Sequence, residues 1–345
     1  TQVAPRQAGS AEYHYYFTGY RNVETDMLGH RTVYCFDRHR RLTATQNALG
    51  DTAGSVYDGQ NHVIAATDPR GNTTTYDYDG DNNLIKTTNA LSQETVNTYD
   101  ALHRLTRVTD PFGHMVEYDY DLSHHRIKTT VWPDTGQPVE TRSTYYPNGL
   151  PQTATDGRGV LTTFTHDNHG NPDTTQTAMQ PVIDYDYDAA GRMVSLTDQA
   201  GAATQFSYDN RGLLEHRTDP LQKTMSMTYY DDGNIETIID RNSDMVSYTY
   251  TASGKIDTIV FPDGSVRTHT YDIRDNLVQV RDKTGTITFT YDELNRLKSR
   301  TDSNGFTVSY RYDAAGNLVS LTYPGNKTVT YTYDALNRKQ SESRF

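Results

Sequence analysis

The sequence predicts an all-β protein of tandem 21-residue β-hairpins, paired into a long antiparallel sheet that curls into a spiral or hollow shell. The first observation is an aromatic residue, mostly followed by Asp, at sixteen positions, with thirteen of the fifteen intervals equal to 21 residues. The second is the abundance of Tyr, a strand-favouring residue present 27 times. The third is a hydrophobic content of only 34%, so we expect a core of Tyr rings rather than aliphatic side chains.

We call the repeated aromatic residue the anchor. A second aromatic commonly stands two residues earlier, and the period-2 alternation of a strand places both rings on one face. The anchors are Tyr15, Phe36, Tyr57, Tyr78, Tyr99, Tyr120, Tyr145, His166, Tyr187, Tyr208, Tyr229, Tyr250, Tyr271, Tyr291, Tyr312 and Tyr333.

Each anchor is followed by the signals of a tight turn. The fourth residue after it is of a type that tolerates positive φ, as hairpin turns require. An apolar residue commonly returns at the sixth position and starts a second strand, and Asp or Asn at the eleventh position predicts a second turn. Sixteen such hairpins give about 32 strands, and an open sheet of that size must curl. Five turn positions of this kind are Gly191, Gly212, Gly233, Gly254 and Gly316.

Composition and charge exclude several classes of protein. The net charge of −12 argues against nucleic acid as a partner, and no apolar stretch is long enough for a membrane span. One Cys excludes a disulfide framework and a cysteine zinc site. We therefore predict one repeat array over residues 1–345, with about sixteen repeats and no cofactor.

The interval from Tyr120 to Tyr145 is four residues too long and contains the single Trp. This irregular insertion, near 124–143, predicts an enlarged turn with an aromatic tip at Trp132, where a sugar or a partner protein is a possible ligand. His124, His125 and Arg126 make the same segment locally basic. The alternative is a longer hairpin turn whose Trp covers the end of the sheet.

Catalytic and metal sites have weaker signals. Tyr13, His14 and Arg21 lie close in sequence and would suit proton abstraction from a uronate by a polysaccharide lyase. Asp77, Asp79, Asp81 and Asn83 resemble the start of a calcium loop, but Thr88 stands where that loop needs a Glu. We expect no metal and no catalytic residue, and the lyase remains the weaker alternative.

The repeated Tyr-Asp-x-x-Gly-(Asn or Arg)-Leu pattern, best copied at residues 187–193 and 312–318, resembles the YD or Rhs repeat. That family includes bacterial Rhs polymorphic toxins, BC components of insecticidal toxin complexes and animal teneurins. The resemblance implies a hollow cocoon that encloses a C-terminal toxin released by aspartyl self-cleavage. The Rhs core and a toxin domain are absent from the sequence, so no cleavage residue carries over.

The resemblance leads us to expect a structural, non-enzymatic shell segment of a secreted or cell-surface bacterial protein. Its partner would be an encapsulated toxin polypeptide or the remainder of a larger chain. The alternative function is an extracellular adhesion or carbohydrate-binding module, for which a glycan would be the ligand.

Overall fold

The computed structural model describes residues 12–16, 20–134 and 136–344, and of residues 12–16 the backbone alone. These residues form thirty-two β-strands and no helix, so this part of the chain offers no helical segment able to cross a membrane. The predicted class, all-β with tandem antiparallel hairpins, is confirmed.

The first half of the chain contains strands β1 (Glu12–Tyr16), β2 (Arg21–Thr25), β3 (Arg31–Phe36), β4 (Leu42–Gln46), β5 (Thr52–Tyr57), β6 (Val63–Thr67), β7 (Thr73–Tyr78), β8 (Leu84–Thr88), β9 (Glu94–Tyr99), β10 (Leu105–Thr109), β11 (Met115–Tyr120), β12 (Arg126–Trp132), β13 (Val139–Tyr145), β14 (Pro151–Thr155), β15 (Leu161–His166) and β16 (Pro172–Thr177).

The second half contains β17 (Ile183–Tyr187), β18 (Met193–Thr197), β19 (Ala203–Tyr208), β20 (Leu214–Thr218), β21 (Thr224–Tyr229), β22 (Ile235–Ile239), β23 (Met245–Tyr250), β24 (Ile256–Val260), β25 (Val266–Tyr271), β26 (Leu277–Asp282), β27 (Gly285–Tyr291), β28 (Leu297–Thr301), β29 (Thr307–Tyr312), β30 (Leu318–Tyr323), β31 (Lys327–Tyr333) and β32 (Lys339–Ser343).

The chain groups into two compact units. Unit 1 comprises residues 1–94, 250–258 and 265–345, and unit 2 comprises residues 95–249 and 259–264. Within unit 1, strands β1 to β8 pair antiparallel in chain order, and so do β25 to β32. Within unit 2, strands β9 to β23 pair in the same way. That the two units together make a single repeat array stays a prediction.

Strand ends follow the repeat closely. From Phe36 onward, each anchor is the last residue of an odd-numbered strand, and the next strand begins six residues later. In the hairpin of β5 and β6, for example, Tyr57 pairs with Val63 after a register shift at Val56. The repeat therefore sets both the length of the strands and the position of the turn.

Two kinds of turn join the strands, and they share one design. Anchor turns, such as 188–192, follow an anchor; return turns, such as 68–72, lead to the next hairpin. In the first example, the Asp188 N–H donates to the Arg192 carbonyl and Gly191 N–H to the Asp188 carbonyl, each at 2.9 Å. Asp188 Oδ1 accepts the N–H groups of Ala190 and Arg192, and Oδ2 accepts Arg192 Nε at 2.7 Å. One carboxylate thus satisfies the whole turn.

Burial is shallow throughout the described residues. The buried apolar side chains are Val23, Val33, Met227 and Val329, and none of the described side chains is almost completely buried. The anchors from Phe36 onward are half-buried. The expected Tyr core is therefore a half-buried layer spread along the sheet rather than a central core.

Candidate functional site

The anchor hydroxyl connects each repeat to the one before it. Tyr208 Oη donates a 2.7 Å hydrogen bond to the carbonyl of Met193, which opens the second strand of the preceding hairpin. The same bond is made by Tyr57, Tyr78, Tyr120, Tyr145, Tyr229, Tyr271, Tyr291, Tyr312 and Tyr333, at 2.7–3.2 Å. Burial raises the pKa of several of these phenols, Tyr78 and Tyr271 among them.

The face of the anchor ring is covered by a side chain from the preceding anchor turn. The guanidinium of Arg192 lies 4.8 Å from the centre of the Tyr208 ring. Arginines stand in the same way over Tyr57, Tyr120 and Tyr312, and histidines stack on Tyr78 and Tyr145. In these six repeats a guanidinium or an imidazole therefore covers the face of the anchor ring.

The covering side chain is the feature that sequence reasoning missed. It is the fifth residue after the anchor, and it also bonds the turn Asp, as Arg192 does with Asp188. The position is most often Arg, Asn or His, for example Arg104, Asn171 and His125, but it is Leu at Leu150 and Leu213. A sequence pattern that requires one residue type does not detect this position. A pattern that accepts any side-chain hydrogen-bond donor at the fifth residue after the anchor would detect it in most repeats.

The predicted turn glycines all have the backbone conformation that their position requires. Gly191, Gly212, Gly233, Gly254 and Gly316 have φ between 76° and 89°. The same position is occupied at positive φ by non-glycine residues, including His103, His124 and Arg40. The remaining proposed anchors, Tyr99 and Tyr187, end strands β9 and β17.

Trp132 lies at the end of a strand rather than at a loop tip. Three of the four extra residues lengthen β12 and β13 to seven residues each, the fourth lengthens the turn between them, and Trp132 pairs with Met115. Its Nε1 donates to Glu117 Oε2 at 2.9 Å, and Glu117 also accepts Arg107 Nε at 3.0 Å. Trp132 is 38% exposed.

The basic residues proposed beside Trp132 are not next to it. His124, His125 and Arg126 stand at the other end of the seven-residue strand, roughly 20 Å away at the usual rise of a strand. There His125 bonds Asp121 and stacks on Tyr145 at 4.5 Å between ring centres. The structure therefore separates the proposed ligand contact into two places.

Another group of side chains stands next to the backbone pair of Trp132 and Met115 along the chain. His114 contacts Asp110 through Nδ1, at 2.5 Å, and Asp134 through Nε2. The hydrogen bond to Asp110 is the main reason that the pKa of His114 is raised. Phe112 is 71% exposed, with its ring centre 5.9 Å from that of His114. The lengthened hairpin thus adds an acidic side chain to an exposed aromatic surface.

Inside unit 1, return turns of its first segment contact anchor turns of its last segment. Arg274, 11% exposed, forms an ion pair with Asp26. Further along, Arg70 Nη1 donates to the Asp334 carbonyl and to Asn337 Oδ1, both at 2.9 Å. These contacts join residues about 250 positions apart along the chain. They connect turns at the strand ends of the first segment to turns at the strand ends of the last segment, and we call them the edge contact of unit 1.

The described residues around His216 do not form a catalytic triad. A shallow groove of about 390 Å³ on unit 2 contains His216, whose Nδ1 lies 3.0 Å from Ser226 Oγ. None of the described residues that line the groove is acidic, so it lacks the third member of a Ser–His–acid set. The side chains of Tyr13 and His14 lie outside the described part of the structure.

In the segment that resembles a calcium loop, the central carboxylate is bonded to groups of its own turn. Asp79 accepts the N–H groups of Asp81 and Asn83 and the side-chain amide of Asn83, each at 2.9 Å. Asp77 instead forms an ion pair with Lys86. In the described residues there is no group of three or more His, Cys, Asp or Glu side chains arranged to hold a metal ion.

Comparison with known proteins finds one matching family model and a set of solved structures with the same fold. The RHS Repeat model matches residues 57–94, 99–137, 184–224, 291–328 and 316–344. No curated protein sequence matches the chain.

Three similar solved structures are all toxin-complex proteins, each with a TM-score of 0.80. One is the Tc holotoxin pore of Photorhabdus luminescens with a mutation in TccC3, 18% identical over 96% of this chain and 21% of that one. The others are TcdB2-TccC3 (17%, over 95% and 22%) and TcdB2-TccC3 without its hypervariable C-terminal region (17%, over 96% and 21%). The chain thus has the fold of these structures and spans about a fifth of their length.

Proposed function

Because the chain belongs to the RHS-repeat family, we propose that it is a wall segment of a shell in a secreted or cell-surface bacterial protein. The shell would enclose a polypeptide cargo and separate it from its surroundings. The role of such a wall is steric.

The observation that carries this proposal is the repeated bonding between neighbouring hairpins. A phenol such as Tyr208 reaches back to the preceding hairpin, while a turn side chain such as Arg192 covers its ring. These bonds add to the main-chain ladder between β18 of the preceding hairpin and β19. A sheet built in this way leaves few openings between its hairpins, which suits a barrier.

The proposed partners are the cargo and the remainder of a larger chain. Support comes from the matched toxin-complex chains, of which this sequence spans only 21–22%. A wall that contacts several unrelated cargoes would need a polar and adaptable inner surface. The half-buried, Thr-rich strands of this chain suit that requirement.

Solution scattering of the 345-residue chain tests the wall. A hollow particle gives a pair-distance distribution shifted to longer distances than a filled particle of the same mass, and this is the expected result. A rod-like profile would contradict enclosure and would put the adhesion function first. A disordered reporter peptide fused to the C terminus then tests the cargo, because enclosure should slow its digestion by a protease.

Glycan binding is the second candidate function, and the exposed rings of Trp132 and Phe112 favour it, as does Asp134, which contacts His114 next to Phe112. Aromatic rings stack on sugars, and carboxylates accept their hydroxyl groups. An immobilised glycan panel tests it: Trp132→Ala should abolish binding, whereas Phe306→Ala, which removes another exposed ring, should not. If the unmodified chain binds no glycan on the panel, glycan binding is excluded and the shell wall remains as the proposed function.

A further inference from the structure

Arg41 shows how an anchor turn binds a guanidinium group. Its Nη1 donates to the Asp58 carbonyl at 2.6 Å and to Asn61 Oδ1 at 3.1 Å. The first acceptor belongs to the residue after the anchor, and the second to the residue at positive φ, here 76°. Arg41 comes from the anchor turn one repeat earlier, so this pair of acceptors is filled locally.

Arg70 fills the same pair of acceptors from a distant part of unit 1. Its Nη1 donates to the Asp334 carbonyl and to Asn337 Oδ1, both at 2.9 Å, and Asn337 has a φ of 61°. Nη2 adds a bond of 3.3 Å to the Tyr333 carbonyl. Arg41 comes from the neighbouring repeat and Arg70 from a distant one. In both cases Nη1 donates to the same two kinds of acceptor, an Asp main-chain carbonyl and an Asn Oδ1.

The site at Asp334 is open to Arg70 because the preceding repeat lacks an arginine. The residue at the covering position is Asn317, which reaches Asn337 Oδ1 at 2.7 Å with its shorter side chain. One repeat earlier, Arg296 donates to the Asp313 carbonyl at 3.1 Å from the equivalent position.

We propose that the anchor turn with Asn at positive φ is a guanidinium-binding site, and that Arg70 fixes the register of the edge contact in unit 1 by occupying the site at Asp334 and Asn337. A slip by one repeat would bring Arg70 to the turn 313–317. There the Asp313 carbonyl already accepts Arg296, and Gly316 supplies no side-chain oxygen. The slipped register therefore loses both acceptors.

Charge along the contact strengthens the same register. Arg70 Nε lies 3.6 Å from the carboxylate of Asp313, so the return turn supplies the cation at this point. At the other point, Arg274 of the anchor turn pairs with Asp26 of the return turn, and the polarity is reversed. Two ion pairs of opposite polarity specify one alignment better than either pair alone.

The test compares Arg70→Ala with Arg158→Ala in the full chain. Arg158 is the matched control, because it holds the same third position of a return turn but is 84% exposed and bonds only its own Asp156 among described contacts. Spin labels at exposed Leu91 and Lys339, with Cys35 replaced by Ser, report the alignment by pulsed electron resonance. Arg70→Ala should broaden the distance distribution and lower the melting temperature by roughly 2–6 °C. Arg158→Ala should change neither.

Asn317→Arg tests whether the site recognises the guanidinium itself. Added to Arg70→Ala, the new arginine should fill the vacant acceptors from its own repeat, as Arg296 does, and restore most of the melting temperature. The distance distribution should stay broad, because no residue then crosses the edge. Identical behaviour of the Arg70 and Arg158 variants, or no recovery with Asn317→Arg, would overturn the proposal.

Discussion

Tyr208 Oη lies 2.7 Å from the carbonyl oxygen of Met193, fifteen residues earlier in the chain. Tyr208→Phe keeps the ring but leaves that carbonyl without its phenol donor, at a cost of about 1 kcal/mol. Tyr208→Ala removes the ring as well and should lower the melting temperature by several degrees. Thermal unfolding by circular dichroism measures both. Tyr185→Phe is the control, because no hydrogen bond of its hydroxyl is described; an equal loss there would contradict the role of the anchor bond.

Asp188→Ala should open the anchor turn 188–192. The change removes the acceptors of two main-chain N–H groups and of Arg192 Nε, and with them the arginine that covers Tyr208. Asp188→Asn should be milder, because Asn47 accepts the same two N–H groups in its own turn. Amide hydrogen exchange of residues 188–192 measures the difference. Equal exchange in both variants would show that the side chain does not hold the turn.

Gly191→Ala should destabilise the protein by about 1 kcal/mol. Gly191 has a φ of 76°, and a Cβ there would meet nothing closer than 3.9 Å, so the cost is conformational rather than steric. Gly59 is the matched control, since a Cβ there would meet nothing within 4 Å and its φ is not positive. Gly59→Ala should be neutral or slightly stabilising. Urea unfolding of the two variants gives the comparison.

The protein should become less stable in acid, because the carboxylates of the turns become protonated. The N–H of Arg192 lowers the pKa of Asp188, and the N–H of Arg338 lowers that of Asp334. For Asp282 the hydroxyl of Thr284 is the main cause, and the pKa falls to about 2. Since these values lie below the usual Asp value of about 3.9, the unfolded chain takes up protons first as the pH drops. The contribution is complete above about pH 5 and is lost between about pH 4 and 2.

A series of melting curves between pH 7 and 2 checks this prediction. Asp188→Asn should flatten the acid slope slightly, because one carboxylate with a lowered pKa is missing. Asp186→Asn removes a carboxylate from an exposed strand position outside the turns and provides the control for the loss of one charge. A melting temperature that stays constant down to pH 3 would contradict the proposed part of the turn carboxylates.

Local features of the fold could be predicted from the sequence, because each depends on residues a few positions apart. The end of a strand at Tyr57, the start of the next at Val63 and the positive φ at Asn61 all follow from one repeat. The turn side chain over the ring was not predicted, since several residue types, among them Arg, His, Asn and Leu, occupy that position. The prediction that Trp132 stands at the tip of a loop was wrong. It assigned the inserted residues to the turn, whereas most of them lengthen strands β12 and β13.

The edge contact of unit 1 could not be predicted for a different reason. Arg70 and Asn337 are separated by most of the chain, and neither differs in type from residues at the same repeat positions elsewhere. Periodicity specifies the unit that repeats but says nothing about which copies meet. That choice depends on the curvature of a sheet, a small angle accumulated over many strands.

The bonding of each hairpin to its immediate neighbour has a mechanical consequence. Under tension applied to one run of strands, such as β9 to β23, the load would fall on one hairpin at a time, because each hairpin of the run pairs with its immediate neighbours. Each rupture would release 21 residues, or about 70 Å of extended chain. A protein of this kind would dissipate force in many small and equal steps.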